Sequence, residues 1–345
     1  MQKKLFESIV WFTDIHMGMK NNSTAHNQDC KEFVEDMCRD AKARGITTCI
    51  FGGDYFHNRS AVNISTLDTG LQVLDLLNKT FERTYVIVGN HDMYYKNRRD
   101  ITSVNLASAF ENVHFINEIT TIDDCTFIPF MVDEEYKQLP ALKSKYVFGH
   151  LELPGYMLNK MTMMPDHGKE TEDSFNGCET VFSGHFHKRQ RKTLSSGTEI
   201  IYTGNCFPHN FSDAWDDDRG WMFLEHGGVP EFIKWDKAPK YRTMKMSDLL
   251  ENPEYYLSDK VIAKVELDVK LNVDEMSFIR DMYTKMFNAR DISIVSAKVT
   301  DVQGNMEVGA DFGQASIDEI VIEQINAIDS NVYDKNLLIS IYKSL

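Results

Sequence analysis

Five short segments of this sequence place Asp, Asn or His directly after an apolar run, where a divalent metal ion could be bound. The segments are TDIH (13–16), FGGDYFH (51–57), VGNHD (88–92), FGHLE (148–152) and SGHFH (183–187). Their candidate metal ligands are Asp14, His16, Asp54, Asn90, His150, His185 and His187. A set of carboxylate and amide oxygens with imidazole nitrogens, without thiolates, favours manganese, iron or zinc over calcium.

Seven ligands are too many for one ion, but they suit two ions if one carboxylate bridges them. Two ions about 3.5–4 Å apart can activate a water and also stabilise the leaving oxygen of an in-line displacement. Each segment alone is weak evidence, because an Asp after a strand is often only the N-cap of the next helix. Five such segments in one chain, each at the end of a predicted strand, predict a two-metal phosphoesterase site.

The segments that must hold these residues alternate between strand and helix patterns. Three apolar runs that end in polar, glycine-rich residues lie at 8–14, 47–54 and 84–92. Between the first two runs, Phe33 and Met37 recur at helical spacing and Gly45 follows as a C-cap. This βαβαβ order predicts parallel strands, which present their ligands at their carboxyl ends.

Further strand patterns follow along the chain, at 125–130, 146–151, 180–184, 199–203, 220–224 and 231–235. We therefore predict an α/β fold in residues 1–240, with two sheets packed face to face and helices outside. The polar, basic stretch at 237–246 is interpreted as a linker. A compact β-α-β unit is predicted within residues 241–303, and a helical tail in residues 304–345.

The tail carries a stripe of apolar residues at helical spacing, formed by Ile317, Ile320, Val321, Ile325 and Ile328. A helix folded back on its own domain would bury this stripe. A helix that docks a partner protein would show the same pattern, so the sequence leaves the two alternatives open.

The composition limits the possible functions. The chain has 37 Lys+Arg against 52 Asp+Glu and a formal charge of −15, which argues against a protein that coats polyanions. A nucleic-acid enzyme is not excluded, because bound cations and local basic residues can attract DNA. The six cysteines form no CxxC pair, which favours buried, reduced thiols. No apolar run approaches the roughly 20 residues that span a bilayer, so we expect a soluble, cytoplasmic protein without membrane contacts.

The ordered motifs DxH, GGD, GNHD, GH and GHxH resemble those of the calcineurin-like metallophosphoesterase superfamily. Within it, the chain looks similar to the SbcD-type nucleases of DNA double-strand-break repair, above all to short bacteriophage recombination endonuclease subunits. The finer likeness lies in TDIHMG, GDYFH, GNHDMYYKN and IYTGNCFPHNFSDAWDDDRGWMFLE (201–225). The motifs cover residues 10–225, and the β-α-β unit after them resembles the DNA-recognising capping domain of that family.

The resemblance implies a role for each candidate residue. One metal would take Asp14, His16, Asp54 and His187, and the other would take Asp54, Asn90, His150 and His185, with Asp54 as the bridge. His91 would protonate the leaving oxygen, and Asp92 would orient His91. His57 matches a position that helps to place the DNA backbone in some members, and a purely structural histidine is the alternative. The implied ions are Mn²⁺ first, with Mg²⁺, Fe or Zn as alternatives.

Two basic clusters follow ligand segments and are expected to contact the phosphates of DNA. They comprise Lys96, Arg98 and Arg99 after GNHD, and Lys188, Arg189, Arg191 and Lys192 after GHFH. An ordinary solvated charge run is the alternative for any single residue.

The resemblance also implies a biological setting. The protein would be an exonuclease and endonuclease in DNA end processing, recombination and repair, in the host cytoplasm if it is encoded by a phage. It would act as a homodimer with an SMC-like ABC ATPase, which its C-terminal helical segment would dock.

Two other classes of function compete with this reading. Another enzyme of the superfamily, such as a protein phosphatase, a cyclic-nucleotide phosphodiesterase or a nucleotide pyrophosphohydrolase, would use the same ligands. However, protein phosphatases typically read GDxxDRG and GNHE, where this chain has GDYFHNR and GNHD. A binding module that keeps only the fold is the second rival, but degenerate members usually lose ligands.

Overall fold

The structure is a computed structural model that describes residues 3–158, 162–296 and Lys335. The chain divides into one unit of residues 1–297 and a second unit of residues 298–345. All elements given below belong to the first unit. The predicted helical tail at 304–345, with its apolar stripe, lies outside the described residues apart from Lys335.

The first sheet has six strands within the described residues. In spatial order they are β12 (Glu231–Lys234), β11 (Gly220–Glu225), β1 (Ser8–Phe12), β2 (Thr48–Phe51), β3 (Arg83–Ile87) and β4 (Val113–Ile116). Strands β1 to β4 are parallel, whereas β11 and β12 extend the sheet in antiparallel fashion. The central strands β1 and β2 are apolar and buried along nearly their whole length, as expected for parallel strands covered on both faces.

The second sheet also has six strands in the described part of the chain. In spatial order they are β5 (Thr120–Ile122), β6 (Cys125–Ile128), β7 (Tyr146–Gly149), β8 (Thr180–Ser183), β10 (Glu199–Tyr202) and β9 (Gln190–Thr193). The four inner strands β6, β7, β8 and β10 are parallel. Their carboxyl ends therefore lie at one edge of the sheet, where the loops after β7 and β8 begin.

Helices flank this pair of sheets. In the described part of the chain these are α1 (Met19–Asn22), α2 (Thr24–Ala43) and α3 (Ile64–Thr80), whereas α4 (Met246–Glu251), α5 (Pro253–Tyr256) and α6 (Val273–Phe287) come later and pack with the third sheet. Short 3₁₀ helices lie at Ser103–Ala109, Glu135–Ala141, Glu172–Phe175 and Phe211–Asp213. The side chains of Ser23 and Asn63 cap the first turns of α2 and α3, whose apolar faces are buried against the first sheet. These are the predicted crossover helices.

Aromatic side chains fill the space between the two sheets. Trp11 of β1 packs against Phe148 of β7 at 5.6 Å, and Tyr85 of β3 stacks on Phe127 of β6 at 4.8 Å between ring centroids. Phe182 of β8 continues the same layer by stacking on Phe148. The predicted α/β sandwich of two sheets with flanking helices is thus confirmed. The six cysteines are buried with free thiols.

A third, smaller sheet follows, with three parallel strands within the described residues. They are β13 (Lys240–Lys245), β14 (Val261–Leu267) and β15 (Asp291–Ser296), and α6 connects the last two. The predicted linker at 237–246 is therefore wrong over most of its length. Tyr241 and Met244 are buried in β13, and this partly apolar pattern is concealed by Arg242 between them and by a lysine at each end of the strand.

Ion pairs connect the third sheet to α2. Asp29 of α2 accepts hydrogen bonds from Lys260 and from both terminal guanidinium nitrogens of Arg290. Asp29 itself is almost fully buried. Within the described part of the chain, no helix combines the length and the apolar character that a membrane crossing requires.

Candidate metal centre and active site

The seven candidate ligands lie together where loops from both sheets meet. In the first sheet, the loop after β1 carries Asp14 and His16, the loop after β2 carries Asp54, and the loop after β3 carries Asn90. In the second sheet, the loop after β7 carries His150, and the loop after β8 carries His185 and His187. Potential ligand atoms of Asp14, His16 and Asp54 lie within 4.8 Å of one another, as do those of Asp54, His150 and His185. The structure therefore brings together residues that are up to 173 positions apart in the sequence.

Asp54 lies between two sets of nitrogen donors. Its Oδ1 is 3.5 Å from Nε2 of His150, and its Oδ2 is 3.5 Å from Nε2 of His16. The side chain is almost completely buried. Since each oxygen faces a different histidine, the carboxylate has the geometry required to bridge two ions.

Asp14 and His187 complete the group around His16. Oδ1 of Asp14 is 3.8 Å from Nε2 of His187 and 3.9 Å from Nε2 of His16. The hydroxyl of Thr13 donates to Oδ2 of Asp14 at 2.6 Å, and the backbone N–H of His185 donates to the same oxygen at 3.1 Å. These donors fix the carboxylate in the orientation that a metal ligand needs.

Asn90 forms the centre of the other group. Its Oδ1 is 3.0 Å from Nε2 of His150 and 2.9 Å from Nδ1 of His185. The opposite nitrogen of each ring makes a hydrogen bond on the side away from Asn90. Nδ1 of His150 bonds to the carbonyl oxygen of Gly52, and Nε2 of His185 bonds to the carboxylate of Glu152. These outer acceptors place the ring protons outside, so the inner nitrogens present lone pairs. Lone pairs gathered around an amide oxygen require a proton or a cation between them.

The backbone is strained at four of the seven candidate ligands. Asp14, His16, Asp54 and His185 have φ angles of 54°, 49°, 62° and 79°, in the left-handed region that side chains other than glycine rarely adopt. The left-handed conformation of each such residue destabilises the folded protein by on the order of 1–2 kcal/mol. Strain of this kind persists where the surrounding structure enforces it, and it typically concentrates at functional sites.

The electrostatics of this cluster favour a bound cation. Burial raises the pKa of Asp54, but the neighbouring His150 and His16 outweigh burial and hold that pKa well below its usual range. Burial lowers the pKa of His150, and the Asp54 carboxylate reverses the shift and raises it to about 9. Nε2 of His16 is buried and has no hydrogen-bond partner among the described residues. Clustered buried carboxylates beside an unpartnered imidazole nitrogen fit divalent metal ions.

Two motif glycines leave the space that the carboxylates occupy. A Cβ atom at Gly89 would lie 2.2 Å from Oδ1 of Asp54, and one at Gly184 would lie 2.8 Å from Oδ2 of Asp14. Both distances are far below van der Waals contact. The glycines before Asn90 and His185 are therefore required for the approach of the loops to the carboxylates.

His91 lies beside the cluster and outside the predicted ligand set. Its backbone N–H donates to Oδ1 of Asp54 at 2.7 Å, and its Nδ1 is 2.7 Å from the carbonyl oxygen of His57. The ring also stacks on the ring of His57 at 5.2 Å. The prediction that Asp92 orients His91 is wrong, because the carbonyl oxygen of His57 makes that contact.

Asp92 instead ties the loop after β2 to the loop after β3. Its Oδ2 accepts the backbone N–H groups of Asp54 and Gly89, each at 2.9 Å, and its Oδ1 accepts those of Tyr55 at 2.9 Å and Phe56 at 3.3 Å. Burial, and then the charge of Asp54, raise the pKa of Asp92 to about 7, while these N–H donors act in the opposite direction. Asp92 therefore shapes the site through the backbone.

Replacing Asp92 with Asn should destabilise the protein strongly. The amide nitrogen of Asn is a donor and would face N–H groups that need an acceptor, leaving buried groups unsatisfied. We expect the free energy of unfolding, measured with urea at pH 8 in chelator, to fall by about 3 kcal/mol. Asp68→Asn on the surface of α3 is the control, with an expected change below about 0.5 kcal/mol. Equal stabilities of the two variants would contradict this role.

His57 forms part of the wall of the site. Its Nδ1 is 3.4 Å from Nδ1 of His16, and its ring is half-buried against His91. Burial, and then the neighbouring His91, lower the pKa of His57. A contact from His57 to the DNA backbone stays a prediction.

Arg99, one of the predicted DNA contacts, is committed to a structural role. Its side chain is only 5% exposed, and it donates to both carboxylate oxygens of Glu135 at 2.6 Å. Its remaining bonds go to the carbonyl oxygens of Asn117 and Phe130. A guanidinium with these partners is not available to a phosphate, so the structure removes Arg99 from the set of DNA contacts.

Arg189 is also largely committed to the protein. It packs over the ring of Phe232 at 4.2 Å and donates to the carbonyl oxygen of Thr203 at 3.1 Å and to Asp218 at 3.0 Å. Burial lowers its pKa. Arg189 is therefore left out of the DNA contacts that we propose below, and its contact with DNA stays a prediction.

The remaining basic residues lie nearer to solvent, and they are Lys96, Arg98, Lys188, Arg191 and Lys192. Arg98 lies over the ring of Tyr95 at 3.7 Å and 3.2 Å from Asp100. Arg191 pairs with Glu199, and Lys192 pairs with Glu172. Exposed ion pairs contribute little free energy, so these cations can exchange their partners for phosphates.

Three residues close to the site escaped the sequence analysis. Glu152 holds His185 from outside and lies within the FGHLE motif, where its proximity to His150 could have indicated it. Arg59, two residues after His57, has a buried Nη1 without a hydrogen-bond partner among the described residues. His209 lies against the site from the segment at 201–225, and no spacing rule marks it.

Comparison with known proteins places the sequence in a family. The family described as calcineurin-like phosphoesterase matches residues 8–189. Exonuclease subunit 1 of Enterobacteria phage T4 is 30% identical over 230 residues, which are 64% of this chain and 65% of the phage protein. The chain thus matches slightly less than two thirds of that relative's length.

Two further similarities are more distant. Putative phosphoesterase 244L of Invertebrate iridescent virus 6 is 27% identical over 259 residues, which are 68% of this chain and 86% of that protein. A dimetal phosphatase from Danio rerio has a solved structure that is 13% identical, covers 65% of this chain and 93% of its own, and superposes with a TM-score of 0.42. That score is too low to bear on function.

The family match extends over more than half of the chain and includes every strand-end loop that carries a candidate ligand. The buried carboxylates and imidazoles at those loops are suited to the divalent ions on which the chemistry of such enzymes depends. The chain belongs to the calcineurin-like phosphoesterase family.

Proposed function

We propose that this protein is a nuclease that hydrolyses phosphodiester bonds in DNA with two divalent metal ions. The observation that carries the proposal is the buried carboxylate of Asp54, whose two oxygens face separate sets of nitrogen donors. The similarity to Exonuclease subunit 1 of phage T4 supports DNA as the substrate. Because the chain carries a formal charge of −15, the ions and local basic residues must provide the attraction for DNA.

The candidate ligands divide into two sets that share Asp54. One ion would be held by Asp14, His16, Asp54 and His187, and the other by Asp54, Asn90, His150 and His185. Two bound ions would activate a water for attack and stabilise the leaving oxygen. The mixed oxygen and nitrogen donors suit Mn²⁺, with Mg²⁺, Fe and Zn as alternatives.

His91 is the proposed general acid. The carbonyl oxygen of His57 accepts the proton of Nδ1, so the other nitrogen, Nε2, is the one that exchanges its proton. The bond from the His91 backbone to Asp54 fixes the ring relative to the bridging carboxylate. A protonated Nε2 would donate to the oxygen that leaves when the phosphodiester is cleaved.

A cavity of about 320 Å³ adjoins the His185 side of the site and suits a nucleotide. Phe130 and Glu152 line it, and both contact His185, with the rings of Phe130 and His185 5.5 Å apart. Its lining carries two lysines, Lys96 and Lys169, beside the carboxylates of Asp133, Glu152 and Glu170. A nucleotide next to the scissile bond could place its base on the aromatic wall and its phosphate near the lysines.

The proposed contacts to the DNA backbone are His57, Lys96, Arg98, Lys188, Arg191 and Lys192. Arg59 joins this set, because a buried guanidinium nitrogen without a partner among the described residues is suited to a phosphate oxygen. Each phosphate contact contributes about −0.9 to the slope of log K against log salt. DNA binding should therefore weaken steeply as salt is raised.

One set of assays distinguishes this function from its rivals. The substrates are linear duplex DNA, the diester bis(p-nitrophenyl) phosphate, the monoester p-nitrophenyl phosphate and a cyclic nucleotide, each with Mn²⁺ and with chelator. We expect metal-dependent hydrolysis of the DNA and of the diester. A preference for the monoester would indicate a phosphatase, and a preference for the cyclic nucleotide would indicate a cyclic-nucleotide phosphodiesterase. Metal binding without hydrolysis would indicate a binding module.

We also propose the setting in which the nuclease works. It would process DNA ends in recombination and repair as a homodimer with an SMC-like ABC ATPase, in the host cytoplasm if a phage encodes it. The T4 relative is an exonuclease subunit by name, which supports a complex of several chains. Residues 241–303 would act as the capping domain and residues 304–345 as the docking segment. Removing residues after 305 should abolish co-purification with the ATPase, and unchanged co-purification would contradict the docking role.

A further inference from the structure

A third imidazole lies beside the ion position that His16 and His187 share. The ring centroids of His16 and His187 are 5.2 Å apart, and that of His209 is 5.5 Å from His16 and 5.4 Å from His187. The three rings thus form a nearly equilateral triangle. One ring nitrogen from each lies within 4.8 Å of the corresponding nitrogens of the other two.

Two nitrogens of this triangle, one on His209 and one on His16, lack within the described part of the chain the hydrogen-bond partners that buried polar groups require. His209 is completely buried, and its Nδ1 has no hydrogen-bond partner among the residues that the structure describes. Nε2 of His16 is also buried and makes no hydrogen bond within the described residues, and its nearest carboxylate oxygen, Oδ2 of Asp54, is 3.5 Å away. An unsatisfied buried nitrogen costs on the order of 1–3 kcal/mol. Two such nitrogens on neighbouring rings indicate that a ligand satisfies them both.

The position of His209 is fixed by several contacts. Asp213 accepts its backbone N–H at 2.9 Å, and the hydroxyl of Tyr241 donates to its carbonyl oxygen at 2.7 Å. The ring of Phe207 packs against the imidazole at 5.1 Å. Both anchoring side chains, Asp213 and Tyr241, are themselves buried. The imidazole is therefore held in place in the way a metal ligand is, from outside and by buried partners.

We infer that His209 is an additional ligand of the metal ion held by Asp14, His16, Asp54 and His187. The inference rests on the proposed two-metal function and assigns a residue that the resemblance did not supply. With His209 as a ligand, the two ion positions differ in their number of imidazoles. The position of Asp14, His16 and His187 has three imidazoles, whereas the position around Asn90 has two. An imidazole-rich position binds transition metals such as Mn²⁺, Fe²⁺ or Zn²⁺ in preference to Mg²⁺. We expect one tightly held ion and one that exchanges readily.

Metal titration of the full-length protein tests this inference without using activity. Chelator-treated protein is titrated with Co²⁺ in a calorimeter, as wild type and as the variants His209→Ala and His226→Ala. His226 pairs with Asp124 away from the site and is the matched control for loss of a partly buried histidine. We expect wild type and His226→Ala to bind two ions, and His209→Ala to lose at least about tenfold in affinity at the tighter position only.

The possible outcomes separate the inference from the proposed function. Two unchanged affinities in His209→Ala would overturn the role of His209 and leave the two-metal site intact. A wild-type protein that binds no metal would instead overturn the proposed function. If His209→Ala does not fold, X-ray absorption spectroscopy of the wild-type protein with one equivalent of Co²⁺ counts the imidazoles bound to the ion at the tighter position. Three imidazoles per cobalt would support the inference, and two would overturn it.

Discussion

Replacing Asp54 with Asn is expected to abolish metal-dependent hydrolysis while the protein stays folded. The substitution keeps the size of the side chain but removes the charge that both ions would share. Oδ1 also faces His150 and Oδ2 faces His16, so an amide nitrogen at either position would repel an ion. The bound ions stabilise the transition state by several kcal/mol, and the loss of that stabilisation corresponds to a fall in the hydrolysis rate of about 10³-fold or more.

Thermal or urea unfolding with added Mn²⁺ checks the cause of that loss. A ligand at 100 times its Kd stabilises the folded wild type by about 2.7 kcal/mol. The Asp54→Asn variant should gain much less at the same Mn²⁺ concentration, and its circular dichroism should match that of wild type. Full stabilisation by Mn²⁺ in the variant would show that Asp54 does not bridge the ions.

Replacing His91 with Ser is expected to remove catalysis and to preserve metal binding. The side chain of His91 is anchored on the carbonyl oxygen of His57, outside both sets of candidate ligands. A general acid typically contributes about 10²–10⁴-fold to the rate. Turnover of duplex DNA should fall by that factor, while the metal content, measured by plasma mass spectrometry, should stay at two ions per chain.

The exposed His114 of β4, the edge strand of the first sheet, offers the matched control, since it belongs to none of the ligand loops. His114→Ser should keep both the turnover and the metal content of wild type. Normal turnover in His91→Ser would remove His91 from the mechanism. Loss of metal from His91→Ser would show instead that this histidine is a ligand.

The two-sheet architecture could be predicted because short apolar runs in a fixed order with helical segments restrict the topology. The grouping of Asp14, Asp54 and Asn90 follows from the same rule, because the parallel strands β1, β2 and β3 of the first sheet bring their carboxyl ends to one edge. Residues in one such loop can be assigned from the motif alone. The contacts of those residues with other loops cannot be assigned from the motif.

Two features of the chain differ from what its sequence predicts, and each difference has an identifiable physical cause. β13 was interpreted as a linker because its lysines and Arg242 hid the buried Tyr241 and Met244. Asp92 is next to His91 in sequence, but its carboxylate turns back to the backbone of the β2 loop. Adjacency in sequence does not specify the direction of a side chain in a turn.

Burial of charged residues was equally hidden from the sequence. Arg99 and Arg98 are neighbours of the same charge, yet only Arg99 is buried against Glu135, 36 positions away. His209 approaches the site through a loop that Asp213 and Tyr241 hold in place. Both results depend on long-range packing, and a single sequence carries no local pattern for them.

The most direct test of the two-metal account is a crystal structure of the protein with Mn²⁺, read from the anomalous scattering of manganese. The account predicts two anomalous peaks about 3.5–4 Å apart, one on each side of the Asp54 carboxylate. One peak should lie among Asp14, His16 and His187, and the other among Asn90, His150 and His185. A single peak, or peaks that Asp54 does not join, would contradict the account.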